Sequence, residues 1–248
     1  MPDEWEALRR GAWEEGQMSK DLSEYLRPGK YVDSEAPVVV EKARELVRGC
    51  TTDAGKAIRI HAYVRDLPFD IGGGFRMLLE GRGKASDFIR EGKGFCMHKA
   101  AAFAALCRAA GIPARIGFEI VECLDKPFHP EKIREMYGAR SQPWHSAGEV
   151  FLQGKWLVAD CTVDREQGKR CGRRVLDFDG VHDLPTVEGP VLKRRGSSPD
   201  MPEAVVERHK RAAATFFRCM ESGEALVPVP DRVIEGETAD VILTPPGE

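Results

Sequence analysis

The chain has 248 residues, enough for one large domain with a sizeable hydrophobic core, or for one domain with appendages. Hydrophobic residues make up 42% and charged residues 31% of the sequence, and the net charge of -3 gives no support for general binding to nucleic acid or to anionic membranes. No uninterrupted apolar run is long enough to span a bilayer, and the acidic first residues lack the features of a signal peptide. With seven cysteines at no framework spacing, these features predict a cytoplasmic protein.

The first part of the chain is predicted to be helical. Residues 1–32 form an N-terminal extension that ends at Pro28-Gly29. Apolar residues then recur at helical spacing, which predicts one helix capped by Ser34, a second capped by Asp53 and ended by Pro68, and a short third helix around 85–90. Between the last two of these helices, residues 69–84 contain Gly72-Gly73-Gly74 and Gly81-Arg82-Gly83, which indicate a mobile connection.

A cysteine stands at the start of the next predicted helix. Gly94 interrupts the backbone, Cys96 follows, and an alanine-rich run without Gly or Pro continues until Gly111 and Pro113 end the helix. At the first turn of a helix, the free N–H groups and the positive end of the dipole favour a thiolate over a thiol. Cys96 is therefore a candidate nucleophile, provided that a histidine reaches it.

The pattern of the sequence then changes to strands. Apolar residues alternate over 115–121, a polar insertion with three prolines occupies 124–143, and two further strands are predicted at 145–152 and 155–160. Helices followed by an antiparallel sheet indicate an α+β fold, in which the helical part packs on the sheet. We assign 33–186 to one catalytic domain and 187–248 to a linker, a C-terminal helix near 202–222 and a tail.

The two later strands carry a candidate base and the group that orients it. If Gln153 and Gly154 form a two-residue turn, the register places Asp160 opposite Ala147. His145 then lies on the same face and diagonal to Asp160, within reach of a hydrogen bond that fixes the imidazole tautomer. Asp160 could instead only cap a turn with Thr162. Nothing in the spacing by itself brings Cys96 to His145.

These motifs resemble the transglutaminase-like superfamily, a papain-type cysteine fold with Cys, His and Asp in that chain order. The matching segments are Gly94-Phe95-Cys96, the helix end through Gly111-Ile112-Pro113-Ala114-Arg115, and the strands that carry His145 and Asp160. The resemblance covers roughly residues 35–165 and implies catalytic roles for Cys96, His145 and Asp160. The chain departs from the family at Ala147, where an aromatic residue is usual, and at Cys161, where proline is usual.

The resemblance implies acyl transfer through a thioester on Cys96, with a peptide, a protein or a small molecule as the amide or ester substrate. Hydrolysis by an amidase or peptidase and transfer by an acyltransferase both stay open, and so does the oligomeric state. The backbone N–H of Cys96 is the expected first oxyanion donor, while no second donor is identified.

The alternative is a non-catalytic binding module that retained the fold. No C-x-x-C pair and no close histidine pair is present, so we expect neither a metal site nor a cofactor. We expect the insertion at 124–143 and the glycine-rich loop at 71–83 to determine specificity. Glu149 shares the predicted face of His145, and we interpret it as a solvated or ion-paired strand residue.

Overall fold

The computed structural model describes residues 20–122 and 141–222. Most of the N-terminal extension, most of the insertion at 124–143 and the tail after residue 222 lie outside the described residues. A short 3-10 helix spans Lys20–Leu26, and the α-helices are α1 (Pro37–Val47), α2 (Asp53–Asp66), α3 (Ile71–Leu79), α4 (Ala85–Glu91), α5 (Cys96–Ala109), α6 (Arg165–Arg170) and α7 (Glu203–Ser222). The strands are β1 (Ala114–Glu122), β2 (Ser141–Leu152), β3 (Lys155–Ala159) and β4 (Val191–Ser198). None of these described helices has the length and apolar character needed to cross a membrane.

The four strands form one antiparallel sheet in the order β3-β2-β1-β4. Gln153 and Gly154 turn the chain between β2 and β3 with φ values of 51° and 81°, as a two-residue hairpin turn of the primed type requires. Leu152 pairs with Lys155 in this hairpin, and Gly148 pairs with Ala159. The predicted hairpin register and the predicted α+β fold are confirmed.

Helix α5 is the centre of the fold, and every one of its residues is buried. It packs on β1 and β2 on one side and on α1, α2 and α4 on the others. Its many alanines allow this close approach, because small side chains let neighbouring backbones come near. On β2, Gly148 provides the matching space, since a Cβ atom there would overlap the ring of Phe103. Gly111 ends the helix region with a φ of 82°, as predicted.

The mobile connection predicted over 69–84 is wrong for residues 71–79, which form α3. The Asp70 carboxylate caps this helix by accepting a hydrogen bond from the backbone N–H of Gly73 at 2.8 Å. The apolar side of α3 is buried against α7, where the rings of Phe75 and Phe216 lie 5.9 Å apart. Tertiary packing and a cap therefore outweigh the low helix propensity of three consecutive glycines.

Residues 191–198 were expected to belong to a linker, and this interpretation is also wrong. They form β4, which pairs with β1 through Ile116–Ser198 and Gly117–Ser197. The consecutive charged residues at 193–195 hide the alternation of apolar and polar residues that indicates a strand. In the structure Arg195 lies over the Trp144 ring at 4.5 Å, and charged side chains suit a strand at the edge of a sheet. The domain boundary near residue 187 stays a prediction.

The C-terminal helix predicted at 202–222 is confirmed as α7. Asp200, just before it, accepts hydrogen bonds from the backbone N–H groups of Lys30 at 2.6 Å and Val32 at 2.9 Å. These bonds tie the start of α7 to the segment that precedes α1. Along α7, His209 lies 5.5 Å from the ring of Phe95, the residue before Cys96. Helix α7 therefore packs behind the turn on which the candidate nucleophile lies.

Candidate active site

Cys96 is the first residue of α5 and is 1% exposed. Phe95 precedes it in an extended conformation and makes no capping hydrogen bond with its side chain. The first turn of α5 also contains no acidic residue. The positive end of the α5 dipole is therefore not neutralised by a capping side chain or by a carboxylate. It can act on the Cys96 sulfur and on an oxygen bound next to it.

His145 and Asp160 form a buried pair, as the predicted register allowed. The imidazole Nε2 donates a hydrogen bond to Asp160 Oδ2 over 2.7 Å, and His145 is 0% exposed. The same carboxylate accepts hydrogen bonds from the backbone N–H of Thr162 at 3.1 Å and from its hydroxyl at 3.2 Å. Both interpretations of Asp160 therefore hold together: it contacts His145 and it caps the turn with Thr162.

The electrostatics of the pair favour its charged form. Burial alone lowers the pKa of His145, but the charge and hydrogen bond of Asp160 outweigh burial and raise that pKa well above its ordinary value. The nearby Cys96 side chain and the charge of Glu188 act in the same direction. For Asp160, burial raises the pKa, while His145 and Thr162 bring it below its ordinary value. The structure thus places His145 and Asp160 in one hydrogen-bonded pair near Cys96, with charges that favour the protonated imidazole.

Sequence reasoning missed a second carboxylate at this imidazole. Glu188 Oε2 lies 3.5 Å from His145 Nδ1, on the ring nitrogen that Asp160 does not contact, and Glu188 is 3% exposed. At this distance the interaction is one between charges rather than a short hydrogen bond.

Backbone bonds explain how Glu188 reaches the site. Leu184 bonds to β3, since Asp160 N–H donates to its carbonyl at 2.9 Å, and the Glu122 N–H on β1 donates to the Pro190 carbonyl at 2.9 Å. Residues 184–190 therefore cross from β3 to β1, past His145. No local sequence motif identifies Glu188 as a site residue. Its position depends on the backbone bonds at both ends of this segment, those of Leu184 and Pro190.

Glu119 adds a further acidic group near the imidazole. It pairs directly with His145 across β1 and β2 and is buried. Burial raises the pKa of Glu119, and the charges of His145 and Arg194 oppose this effect. Arg194 Nε lies 3.5 Å from a Glu119 oxygen. The surroundings of His145 therefore carry more acidic groups than the predicted triad contains.

His61 also supports the site. Its Nε2 donates a hydrogen bond to the backbone carbonyl of Asp160 over 2.8 Å. Burial lowers the pKa of His61 to about 4, so the ring is neutral and the tautomer with hydrogen on Nε2 fits this bond. His61 therefore holds the backbone of Asp160 in place. His98, in contrast, lies among the rings of Phe88 and Phe95 rather than at the imidazole of His145.

A cavity of about 430 Å³ lies beside the site, on the sheet. Its lining includes Glu119, a residue that neighbours His145, together with Trp156 and a buried ion pair. In that pair Arg115 Nε contacts Glu149 Oε2 at 2.6 Å, and Ser197 donates a hydrogen bond to the same oxygen at 2.8 Å. Glu149 is thus ion-paired rather than solvated. Over the described ranges, no cluster of three or more His, Cys, Asp or Glu side chains is arranged to hold a metal ion.

The family model of the transglutaminase-like superfamily matches residues 40–161, a range that contains Cys96, His145 and Asp160. A solved structure named "Putative Cysteine Protease", from Cytophaga hutchinsonii, is similar with 23% identity and a TM-score of 0.46. The similarity covers 59% of this chain and 43% of that one, so this chain spans less than half of that protein. No curated protein matches the chain. The segment at residues 40–161 is therefore a domain of the transglutaminase-like superfamily.

Proposed function

We propose that this protein is a cysteine-dependent acyl-transfer enzyme that uses Cys96, His145 and Asp160 as a catalytic triad. One observation carries the proposal. A buried imidazole is held at 2.7 Å by Asp160, and its pKa responds to the side chain of a cysteine at a helix N-terminus. This combination supplies a nucleophile, a proton donor and an orienting group in one place. Membership in the transglutaminase-like superfamily supports the same reaction class.

In the first half-reaction, the Cys96 sulfur attacks the carbonyl carbon of an amide or ester. The electron pair of the C=O bond moves to the oxygen, which accepts a hydrogen bond from the backbone N–H of Cys96. When the carbonyl re-forms, the bond to the leaving group breaks. His145 gives its proton to the departing nitrogen or oxygen from the ring nitrogen that faces away from Asp160. The products of this step are a thioester on Cys96 and a neutral imidazole.

In the second half-reaction, the neutral imidazole of His145 removes a proton from the acceptor. The acceptor attacks the thioester carbonyl, the C–S bond breaks, and Cys96 leaves as a thiolate beside a protonated His145. Asp160 keeps the ring orientation throughout, because its hydrogen bond to Nε2 is present in both halves. Water as acceptor gives an amidase or peptidase, and an amine gives an acyltransferase; the thioester is common to both.

A second candidate function is a binding module without catalysis. Its support is the burial of the site, since Cys96 is 1% and His145 is 0% exposed. A module that retained the fold without turnover would have no need to expose the sulfur to a substrate carbonyl.

The alkylation rate of Cys96 separates the two functions. Mass spectrometry would follow labelling by iodoacetamide against pH in the parent, in His145→Ala and in the control His182→Ala, whose histidine is exposed and pairs only with Asp179 among the contacts described. We expect selective labelling of Cys96 near neutral pH in the parent and the control, and its loss in His145→Ala. If the parent labels Cys96 no faster than buried Cys219, the enzyme proposal fails and the binding module stands.

Product analysis then separates hydrolysis from transfer. A panel of thiol-reactive esters would be offered with and without an added primary amine. A rate that is independent of the amine, with only the acid as product, excludes obligatory transfer. An amide product that replaces the acid as the amine concentration rises identifies an acyltransferase.

A further inference from the structure

Lys99 is a buried cation that the triad chemistry does not use. It lies one helical turn after Cys96 on α5 and is 0% exposed. A lysine is rarely buried completely, because the desolvation of an ammonium group is unfavourable. A methionine of similar length would fill the same space without that penalty. The ammonium group therefore needs a role other than packing.

The partners of Lys99 connect the two halves of the site. Its Nζ donates hydrogen bonds to the backbone carbonyl of Thr162 at 2.8 Å and to that of Arg65 at 3.0 Å. Thr162 in turn donates to the Asp160 carboxylate from both its backbone N–H and its hydroxyl. A continuous series of hydrogen bonds thus runs from the helix of Cys96 to Asp160 and on to His145.

We propose that Lys99 is a positioning residue of this reaction, which holds the turn of Asp160 and Thr162 against the helix that carries Cys96. The reaction that Lys99 serves is the proposed acyl transfer, and this part rests on the proposed function. The effect of Lys99 on the position of His145 does not depend on that function. The ammonium group of Lys99, one turn after Cys96 on α5, also lies near the negative charges of Asp160 and Asp164. Lys99 thereby fixes the spacing between the nucleophile and the group that orients the base.

The test compares Lys99→Met, which removes the donors and the charge, with Lys99→Arg, which restores both. The matched control is Lys56→Met, because Lys56 is also buried and packs at the opposite end of α5, with its Nζ at 3.5 Å from the Ala110 carbonyl and 2.8 Å from Asp53. Three measurements apply to each variant: the low-field NMR signal of the His145 ring N–H, the alkylation rate of Cys96, and the thermal midpoint.

We expect Lys99→Met to lose or shift the His145 signal and to slow Cys96 alkylation about tenfold, since small displacements of reacting groups have effects of this size or larger. Lys99→Arg should recover most of the His145 signal and most of the alkylation rate, and Lys56→Met should change only the thermal midpoint. A folded Lys99→Met protein with the parent's His145 signal and alkylation rate overturns the proposal. Weak labelling of Cys96 in the parent would contradict the proposed function alone, because the His145 signal is read independently.

If Lys99→Met does not fold, an NMR pH titration of the parent protein tests the proposal instead. Burial lowers the pKa of Lys99 to about 8, and the groups that oppose burial are, in order, Cys161, Asp164, Asp160 and Asp66. The Lys99 Nζ and the His145 ring would be followed together by NMR through this pH range. A His145 signal that shifts with the Lys99 midpoint supports the coupling, and a His145 signal that stays constant while Lys99 loses its proton overturns it.

Discussion

At the scale of single residues, the imidazole of His145 lies between two carboxylates. Asp160 holds Nε2 at 2.7 Å, and Glu188 lies 3.5 Å from Nδ1. The nearby Cys96 side chain also favours the protonated form of this imidazole and so acts to raise its pKa. Glu188 therefore stabilises the protonated ring without replacing Asp160 as the orienting group, because only Asp160 is close enough for a short hydrogen bond.

Glu188→Gln should lower the pKa of His145 from its raised value. The carboxylate stabilises the imidazolium, so its loss lets the ring give up its proton at a lower pH, by about one pH unit or more for an opposite charge at this distance. An NMR titration of the His145 ring in the parent and the variant measures the shift. Glu45→Gln, which removes an exposed carboxylate paired with Lys42 on α1, is the control. An unchanged His145 midpoint in Glu188→Gln would show that the two groups are not coupled.

At the scale of elements, helix α3 shows how two neighbouring glycines differ. A Cβ atom at Gly74 would overlap the ring of Phe95, whereas at Gly72 it would meet only Asp70 Oδ1 at 3.7 Å, an ordinary contact. Gly74 is thus required by packing, and Gly72 is only tolerated within the helix. The requirement at Gly74 bears on the site, because Phe95 immediately precedes Cys96.

The two glycines predict opposite effects of alanine. Gly72→Ala should raise the free energy of unfolding by ~0.5–1 kcal/mol, because alanine restricts the unfolded chain and favours the helix. Gly74→Ala should lower it by ~1–3 kcal/mol through overpacking against Phe95. Urea unfolding of the two variants beside the parent measures both values. Equal effects at the two positions would contradict the packing of α3 described above.

Two buried histidines lie where α5 and α7 approach each other. Burial lowers the pKa of His98 to about 3 and that of His209 to about 4. Within the described residues, neither ring nitrogen of His98 has a hydrogen-bond partner, while His209 Nδ1 contacts the Val205 carbonyl at 2.7 Å. Both rings are therefore neutral in the folded state at neutral pH.

These histidines predict a loss of stability in acid. An unfolded histidine binds a proton near pH 6.5, but the folded rings resist protonation until about pH 3 to 4, so stability is full above pH 6.5 and falls as the pH decreases. In His98→Phe this fall should be shallower, by an amount that approaches ~1.4 kcal/mol per pH unit as the pH goes well below 6.5. Unfolding free energies between pH 7 and 5 measure it, with His182→Phe at an exposed site as the control. Parallel curves for His98→Phe and the parent would contradict the prediction.

At the scale of the whole molecule, Arg108 joins parts of the chain that are distant in sequence. From the last turn of α5, its buried guanidinium bonds to the Ala114 carbonyl at 3.0 and 2.8 Å and to the Arg27 carbonyl at 2.6 Å. It also bonds to the carbonyl of Pro199, which follows β4. One side chain thus connects α5, the start of β1, the N-terminal segment and the end of β4.

Arg108→Leu should reduce stability strongly, because it removes the donors of one buried and two part-buried carbonyl groups. At ~1–3 kcal/mol for each unsatisfied group, the total loss should be about 3 kcal/mol or more. Arg59→Leu is the control, since Arg59 bonds to a single carbonyl, that of Arg48, in an exposed position. Chemical unfolding measures both variants. A loss of less than about 1 kcal/mol in Arg108→Leu, the size of a single surface interaction, would refute this role.

The sequence by itself determined the features that depend on neighbouring residues. The turn at Gln153 and Gly154 specified the register, and with a side-chain period of two the register specified that Asp160 can reach His145. The glycine before Cys96 and the alanine-rich run after it specified the bounds of α5. These features could be predicted from the sequence because the residues within a turn or at a helix end determine its conformation locally.

Only the tertiary structure decided what depends on contacts between distant segments. Three glycines form part of α3 because Asp70 caps them and α7 covers the helix, and 191–198 form β4 because β1 offers an edge. Glu188 and Lys99 reach the site only when residues 184–190 cross the sheet and α5 packs beside the Thr162 turn. Burial and charge proximity arise after the chain has folded, so no local pattern in the sequence records them.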